Sequence, residues 1–549
     1  MSTLVCVAIM VHDVALALTD ASAARDQGAD LVEFRVDEVF RGVGDEEETR
    51  GVLALVAGSP LPCIVTCRGV AEGGGYEGDE SARMVLYERL AAVGAMPPRY
   101  LDVELTAYAG SAEVRRRVGA MVGGVDAAAR PSLILSTHDF AGRPSDLMRR
   151  IGRMRDERAA GVVKIVYLAR SLRDSLEVLD LPGQTGRATI ALAMGEFGLM
   201  SRVLAPKFGG FLTFAALRPT TTTAPGQPTV RELLELYRFR SIRASTRVYG
   251  VVGWPVGHSM SPLVHNAGFE AVGHDGVYLP LPVAASGDAE GTYLSFKATV
   301  LEMVEHPRLD FAGCSVTLPH KENLLRLAGE RGWEIDAASG ALGAANTLVV
   351  ERGAAGAFVS ASVRNTDAPA AAACLAEALG GLEGKRVAVV GAGGVGRAVA
   401  HGAASMGATV VIYNRSAERA REVARRVGVG VLGKVTAAGM DLLPRCCCDA
   451  IVNCTPLGMS GGPGPAESAV PIARLDQCGA DVVVMDTVYT PVRTPMLVAA
   501  AARGWRTVDG VGMFARQAGA QFEAWTGKAP PAALFEGLVR ERLSTEAAG

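Results

Sequence analysis

Lys164 stands in the apolar run V-V-K-I-V-Y-L-A (162–169), in a chain of 549 residues with only seven lysines against 48 arginines. Flanked by Val163 and Ile165, it is partly desolvated, which favours a neutral amine able to attack a carbonyl. A lysine that carries its charge out to a rim is an equally good reading while Lys164 is taken alone. His138 tips the balance. It sits near the end of the preceding run, S-L-I-L-S-T-H-D-F (132–140), and is one of two histidines before residue 258. An amine beside an imidazole is the equipment for imine formation followed by proton transfer alpha to the imine. In the back half, F-A-G-C-S-V-T-L-P-H-K-E-N sets Lys321 behind an apolar run and a proline, and Asp367 closes N-T-D (365–367) after another. A lysine and an aspartate at separate strand ends can share a proton at a hydroxyl or ketone, although sequence distance does not show that they meet.

The stretch K-R-V-A-V-V-G-A-G-G-V-G-R-A-V-A, followed by A-T-V-V-I-Y-N-R-S, has the order strand, glycine turn, helix, strand. Gly391-Ala392-Gly393-Gly394-Val395-Gly396 occupies the turn, where backbone N–H groups and a helix N-terminus can face a pyrophosphate. The second strand ends in Asn414-Arg415-Ser416, where an NAD enzyme usually has Asp or Glu for the ribose. A guanidinium without that carboxylate favours a 2'-phosphate, hence NADP(H).

These residues need elements to position them. Apolar runs at 3–9, 30–37, 62–68, 100–105, 132–140, 162–169, 188–195 and 212–217 alternate with segments of helical period. Eight such runs predict a closed parallel barrel with its site at the carboxyl ends of the strands. Glu33, Arg35 and Asp37 share one parity, as do Asp102 and Glu104, so each set faces one way, and in runs this apolar an inward face lining a site is expected. The stretch from Phe211 to Pro262 ends this series and starts another. There G-H-S-M-S-P reads as a turn into a helix with Ser261 as N-cap and Pro262 at N1, leaving Ser259 free to face a ligand. Two ordinary capping serines remain the alternative. The chain is thus expected to be α/β: a (βα)8 barrel over 1–240, an α/β substrate domain over 246–370 completed by about 516–545, and a Rossmann-type NADP domain over 371–515.

Composition agrees with small-molecule chemistry. The length exceeds one core, and 49% hydrophobic residues, 21% charged residues and a net charge of -3 suggest neither disorder nor a polybasic nucleic-acid surface. No apolar run reaches a membrane span of roughly 18 residues and no charged leader is visible, so a soluble intracellular protein is expected. Ten cysteines without paired C-x-x-C spacing, including the triplet Cys446-Cys447-Cys448, fit a reduced compartment better than a disulfide framework or a zinc site, and no metal is expected.

E-F-R-V-D, T-C-R-x-x-x-E-G-G, D-V-E-L, S-T-H-D-F, V-K-I, M-G-E-F-G-L-M-S-R, K-F-G-G-F-L-T-F and T-A-P-G-Q-P-T stand in the order of type I 3-dehydroquinate dehydratases. The front half resembles that family over nearly its whole length. The resemblance implies that Lys164 forms a Schiff base with 3-dehydroquinate and that His138, partnered by Glu72, is general acid and base for loss of water to 3-dehydroshikimate. It also implies that Arg202 holds the substrate carboxylate, while Glu33, Arg35, Arg68, Thr223 and Gln227 contact hydroxyls or close the site. Thr223 replaces the usual serine, and V-Y-L after Lys164-Ile165 suggests crowding near the imine. The glycine-rich stretch 72–79 and the A-P-G-Q loop are candidate lids.

G-W-P-V-G-H-S-M-S-P, S-V-T-L-P-H-K, G-A-A-N-T, N-T-D, G-A-G-G-V-G, N-R-S, N-C-T-P-L-G-M, D-T-V-Y-T-P and G-x-x-M-F-A-R-Q-A-G-A-Q-F likewise follow the order of shikimate dehydrogenases. By that resemblance Ser259, Ser261, Thr317, Asn346, Tyr489, Gln517 and Gln521 bind substrate, and Lys321 with Asp367 forms the proton-transferring pair. Asn414, Arg415, Ser416, Arg419, Thr455, Met459 and Gly510 join the glycine turn along the cofactor path. Arg364 departs from the glycine common before N-T-D, which questions the turn there. Both halves together resemble the plant-type fused family, whose setting implies plastids, although no transit peptide is visible and a cytoplasmic location fits that. Two alternatives remain: a quinate dehydrogenase, in whose plant relatives small residues tend to replace Ser261 and Thr317, and a metabolite sensor. A sensor is expected to have lost Lys164, His138, Lys321 or Asp367, and all four are present.

Overall fold

Strands form in the front half where β-branched and other apolar residues run together, the pattern of parallel strands buried on both faces. They are β1 (Leu4–Met10), β2 (Leu31–Arg35), β3 (Cys63–Thr66), β4 (Tyr100–Glu104), β5 (Ser132–Asp139), β6 (Ala160–Leu168), β7 (Ala188–Met194) and β8 (Leu212–Ala215). The structure is a computed structural model describing residues 2–42, 46–93, 97–123, 130–221, 226–353 and 356–548. It divides into two units, Met1–Thr246 with Leu281–Val283, and Arg247–Pro280 with Ala284–Gly549.

In the first unit the strand order is β7-β6-β5-β4-β3-β2-β1-β8, and neighbouring strands pair in parallel. Phe211 N donates to Thr189 O (2.8 Å) across the β7–β8 seam, so the sheet is a nearly closed barrel. Its interior is filled by Cys6, Ala8, Leu31, Ile64, Tyr100, Ile134, Val162, Val166, Ile190, Leu192 and Phe214. Period-two alternation then places Glu33, Asp102, Ser136, His138 and Lys164 on that same inner face. Tyr167 has the opposite parity and its hydroxyl donates to Glu177 (3.0 Å) and Asp174 O (3.2 Å). Of the V-Y-L residues expected to crowd the imine, Val166 and Leu168 are therefore on the inner face and Tyr167 is not.

The second unit holds two sheets. One contains β9 (Arg247–Gly253), β10 (Gly276–Pro282), β11 (Phe311–Val316), β12 (Glu334–Ile335), β13 (Thr347–Arg352) and β14 (Phe358–Arg364), in the order β10-β9-β11-β13-β14-β12. β13 runs antiparallel to β11 and β14, so this sheet is mixed. Helices Gly510–Thr526 and Ala532–Ala548 return to it: Val511, Ala515, Phe522, Trp525, Phe535 and Val539 share a core with Tyr249, Val251, Val264 and Phe269. The other sheet contains β15 (Arg386–Val390), β16 (Thr409–Asn414), β17 (Lys434–Gly439), β18 (Ala450–Asn453), β19 (Val483–Asp486) and β20 (Arg506–Val508), all parallel in the order β17-β16-β15-β18-β19-β20. That order reverses direction between β15 and β18, and the crevice beyond the carboxyl ends of such a pair is where nucleotides bind. Among the described residues no helix is long and apolar enough to cross a membrane.

Candidate active sites

In the barrel, Lys164 does not reach out to a rim. It is buried, and Nζ lies 2.9 Å from Glu33 Oε1 and 3.1 Å from Asp102 Oδ2. The amine is therefore paired as well as desolvated. Nζ also sits 4.6 Å from the centre of the Phe214 ring. Asp102 is shared: Arg68 Nη2 lies 3.0 Å from its Oδ2, and Ser136 Oγ donates to its Oδ1 (2.6 Å). Burial alone raises a carboxyl, but Arg68 and then Lys164 outweigh it and hold Asp102 well below the usual carboxylate range.

The β5–β6 register sets Ser136 opposite Lys164, so His138 is one inward position nearer the carboxyl ends. Glu72 ends the turn Val70–Glu72 after β3 and grips His138 twice: Oε2 accepts from His138 N (2.9 Å) and lies 3.0 Å from Nδ1. Thr106 Oγ1 donates to its other oxygen (2.9 Å). Burial, with Arg68 and Lys164 adding to it, pushes the imidazole well below its ordinary value, while burial pushes the Glu72 carboxyl up to about 7. With Nδ1 occupied, Nε2 of a neutral imidazole is left for proton exchange.

Arg202, in the short helix Leu199–Val203, is fully buried. Its Nη1 donates to the Ala193 and Gly198 carbonyls, and its Nε has no partner among the described residues. Burial pulls this guanidinium down to about 10. A buried cation facing only neutral carbonyls is a seat for an anion. Arg35 instead forms a two-pronged pair with Asp37 (2.8 and 3.0 Å). Gln227 is buried on a segment tied to the end of β8, where Ala216 N donates to Pro228 O (2.8 Å). Thr223 lies outside the described residues. The stretch 72–79, expected as a lid, is fastened down: Tyr76 is buried, its N donates to Arg68 O (3.0 Å), and Gly75 N donates to Asp37 Oδ2 (2.9 Å). Its glycines let the chain fold back against the strand ends. Ser136, which accepts from Arg68 and donates to Asp102, was missed in the sequence, where its one signal is the parity it shares with His138.

In the second unit, tertiary structure brings Lys321 and Asp367 together: Nζ lies 2.6 Å from Oδ2. Each opens a helix, Lys321–Arg331 and Asp367–Leu379. Asn365 Oδ1 accepts from Asp367 N (3.2 Å), and Asn346 Oδ1 accepts from Thr366 N (2.9 Å), which fixes the N-T-D turn. Arg364 does not disturb this turn, because its side chain is exposed and its carbonyl accepts from Asn346 N (3.0 Å). The helix expected to be capped by Ser261 begins on Ser261 itself, with Met260 as N-cap. Ser259 Oγ accepts from Ser261 N (3.2 Å), which leaves its O–H to donate to a ligand. Pro262 lacks an N–H, so the first turn can shift by one residue without losing a bond.

A buried relay missed in the sequence backs this site. Tyr278 OH donates to Ser315 Oγ (2.7 Å), which donates to Gln521 Oε1 (2.7 Å), while Gln521 Nε2 donates to Thr347 Oγ1 (3.0 Å) and Asn346 O (3.2 Å). Tyr278 lies in an ordinary strand run with no motif to mark it, and Ser315 opens S-V-T-L-P-H-K, in which only Thr317 and Lys321 were singled out. Thr317 continues the β9–β11 pairing through Thr317 N to Val252 O (2.9 Å). Tyr489 stacks at a tilt on Phe514, 5.2 Å away, and Gln517 is half-buried on the helix Gly510–Thr526.

The glycine turn fits a dinucleotide. A side chain on Gly396 would meet Gly391 O at 2.0 Å, whereas beside Gly393 and Gly394 there is open space at the start of the helix Gly394–Ser405. Ala392 is buried and Val395 half-buried. Arg415 and Arg419 are exposed and form no ion pair among the described residues. Ser416 Oγ accepts from Arg419 N (3.2 Å), capping the next helix, and Asn414 Nδ2 donates to Ser416 O (3.1 Å). Thr455 Oγ1 donates to Asn453 Oδ1 (2.7 Å) at the end of β18, and Met459 is exposed on the segment that follows.

A model of type I 3-dehydroquinase matches residues 5–244. Models of the shikimate dehydrogenase substrate binding domain, of shikimate / quinate 5-dehydrogenase and of the shikimate 5'-dehydrogenase C-terminal domain match 251–348, 374–451 and 510–540. The chain is 35% identical over 548 residues to a bifunctional 3-dehydroquinate dehydratase/shikimate dehydrogenase, chloroplastic, of Arabidopsis thaliana, covering 97% of this chain and 83% of that one. It is 38% identical over 298 residues to shikimate dehydrogenase (NADP(+)) of Methanocella arvoryzae, covering 54% of this chain and 99% of the relative. The solved dehydroquinate dehydratase and shikimate dehydrogenase from S. pombe AroM is 24% identical, with 98% of both chains covered and a TM-score of 0.43. The chain belongs to the bifunctional 3-dehydroquinate dehydratase/shikimate dehydrogenase family of the shikimate pathway.

Proposed function

We propose that the barrel dehydrates 3-dehydroquinate through a Schiff base on Lys164, and that residues 246–370 and 371–515, completed by about 516–545, reduce the product to shikimate with NADPH. The observation that carries the reading is the buried Lys164, held between Glu33 and Asp102 one inward position from the Glu72-oriented His138. Lys164 Nζ adds to the substrate ketone and a water leaves, giving a protonated imine whose charge Glu33 and Asp102 balance. His138 Nε2 takes a proton from the carbon next to the imine, and the electron pair expels the hydroxyl one carbon further on. His138 returns the proton to that hydroxyl, which departs as water. Hydrolysis of the imine then frees 3-dehydroshikimate and restores Lys164. Arg202 seats the carboxylate, and Arg35, Arg68 and Gln227 are left to contact hydroxyls.

In the second site NADPH supplies the hydride. Lys321, paired with Asp367, gives a proton to the ketone oxygen as it becomes a hydroxyl, and Asp367 holds the lysine in place for reprotonation. Ser259, Ser261, Thr317, Asn346, Tyr489, Gln517 and Gln521 are the substrate contacts. The glycine turn holds the pyrophosphate, and Arg415 with Arg419 reads the 2'-phosphate. The relative named chloroplastic supports a plastid setting.

The test is to incubate the purified chain with 3-dehydroquinate and NADPH and follow NADPH oxidation together with shikimate formation. Borohydride added with substrate should attach the ligand to Lys164 and stop dehydration while the dehydrogenase stays active. Label on Lys207, or full dehydratase activity without label, sinks the Schiff-base reading.

A further inference from the structure

The nucleotide domain gathers three thiols that neither active site uses. Cys446 Sγ lies 3.7 Å from Cys448 Sγ and 3.8 Å from Cys478 Sγ, and the last two are 3.9 Å apart. All three are unbridged, and their sulfurs converge on one point. Cys446 and Cys448 precede β18 and Cys478 precedes β19, so the cluster is at the amino ends of these strands. The cofactor turn is at the carboxyl end of β15, across the sheet.

We propose that Cys446, Cys448 and Cys478 form a binding site for one zinc ion. Three thiolates on a tetrahedral zinc, each about 2.3 Å from the ion, stand about 3.8 Å from one another. The observed triangle has that edge on every side. Apolar packing shelters the cluster: Tyr413, Leu443, Ile451, Leu475 and Trp505 share the core with Cys446 and Cys448. Zinc with three thiolates carries a net negative charge, and Arg503, fixed by the carbonyls of Ile472 (2.6 Å) and Leu475 (3.1 Å), holds a cation against the segment that leads to Cys478. A small solvent ligand completes the tetrahedron, because the cluster supplies three protein ligands among the described residues. Cys447 is not a ligand; it is exposed and lies 3.1 Å from Arg386 Nη1. The ion ties the approach to β18 to the segment between β18 and β19, in which helical turns are confined to Ile472–Arg474.

The full chain, reduced with a phosphine and freed of metal by chelation, is titrated with zinc and passed over a desalting column. One zinc per chain should be retained, and it should protect Cys446, Cys448 and Cys478 from alkylation while Cys447 still reacts. Cys446→Ser, Cys448→Ser and Cys478→Ser should each lose the retained ion, and Cys447→Ser should keep it. Cobalt in place of zinc should give the absorption of a tetrahedral thiolate site, which reads the wild-type chain without any variant. The proposal is overturned if the reduced wild-type chain retains no zinc, if zinc protects other cysteines, or if the three variants keep it.

Discussion

Replacing Arg202 with methionine should weaken binding of 3-dehydroquinate without making the barrel less stable. In the free barrel the guanidinium is buried, Nε has no partner among the described residues, and Nη1 meets only the Ala193 and Gly198 carbonyls. Burial pulls it down to about 10, from above 12 for an ordinary arginine, which corresponds to roughly 3 kcal/mol against the charged form. A substrate carboxylate seated on the fork recovers that cost, so its loss should raise KM by about a hundredfold, at 1.4 kcal/mol per factor of ten. Methionine fills most of the space and removes an uncompensated buried charge, a change that is often neutral or stabilising by about 1 to 4 kcal/mol. The assay titrates 3-dehydroquinate in the absence of NADPH, follows the ultraviolet absorbance of the conjugated product, and is paired with a thermal melt. Expected are a KM raised about a hundredfold and a melting temperature unchanged or higher. A KM within about threefold of the parent removes Arg202 from the carboxylate seat. A clear drop in melting temperature would refute the argument that its charge is uncompensated in the empty barrel.

Glu72→Gln tests the buried acid that orients His138. With the carboxyl pushed up to about 7 from 4.5, the folded chain keeps a proton that the unfolded chain has released between those values. This contribution is fully present below pH 4.5 and is lost as pH rises through about 7. The melting-temperature gap, parent minus Glu72→Gln, should shrink across that window and level off above it, and a gap that widens with pH contradicts the assignment. Arg415→Ala should raise the KM for NADPH, but not that for NADH, by about tenfold, the lower end for a charge-assisted contact because the side chain is exposed to salt and water. Equal effects on both cofactors would show that Arg415 does not read the phosphate. Oxidation of shikimate with NADP should exceed that of quinate by at least about a hundredfold, and the paired Ser261→Gly and Thr317→Gly changes should narrow the gap. Equal efficiency on both acids in the parent places the chain on the quinate side.

Much of this was legible in the chain because it is local. Each barrel strand is a run of apolar residues buried on both faces, so strand order and number follow from alternation along the sequence. The period of two already set Glu33 with Arg35 and Asp37, and Asp102 with Glu104, on faces expected to be inside. The glycine turn before the helix Gly394–Ser405 is local for the same reason: its steric demands involve residues only a few positions apart. Where a side chain's partner comes from a distant strand, local pattern is silent. The anchoring of Lys164 by Glu33 and Asp102, 131 and 62 residues away, depends on strand register, and the meeting of Lys321 with Asp367 depends on two helix starts converging. The Tyr278–Ser315–Gln521 relay and the Cys446–Cys448–Cys478 triangle join residues of separate elements, and no local pattern says that they meet. The sequence by itself determined which side chains are turned inward and where the chain bends, since these follow from steric and apolar demands between near neighbours. Only the tertiary structure decided which charges and thiols meet, because closing a barrel or stacking a parallel sheet is what brings such distant positions within hydrogen-bonding distance.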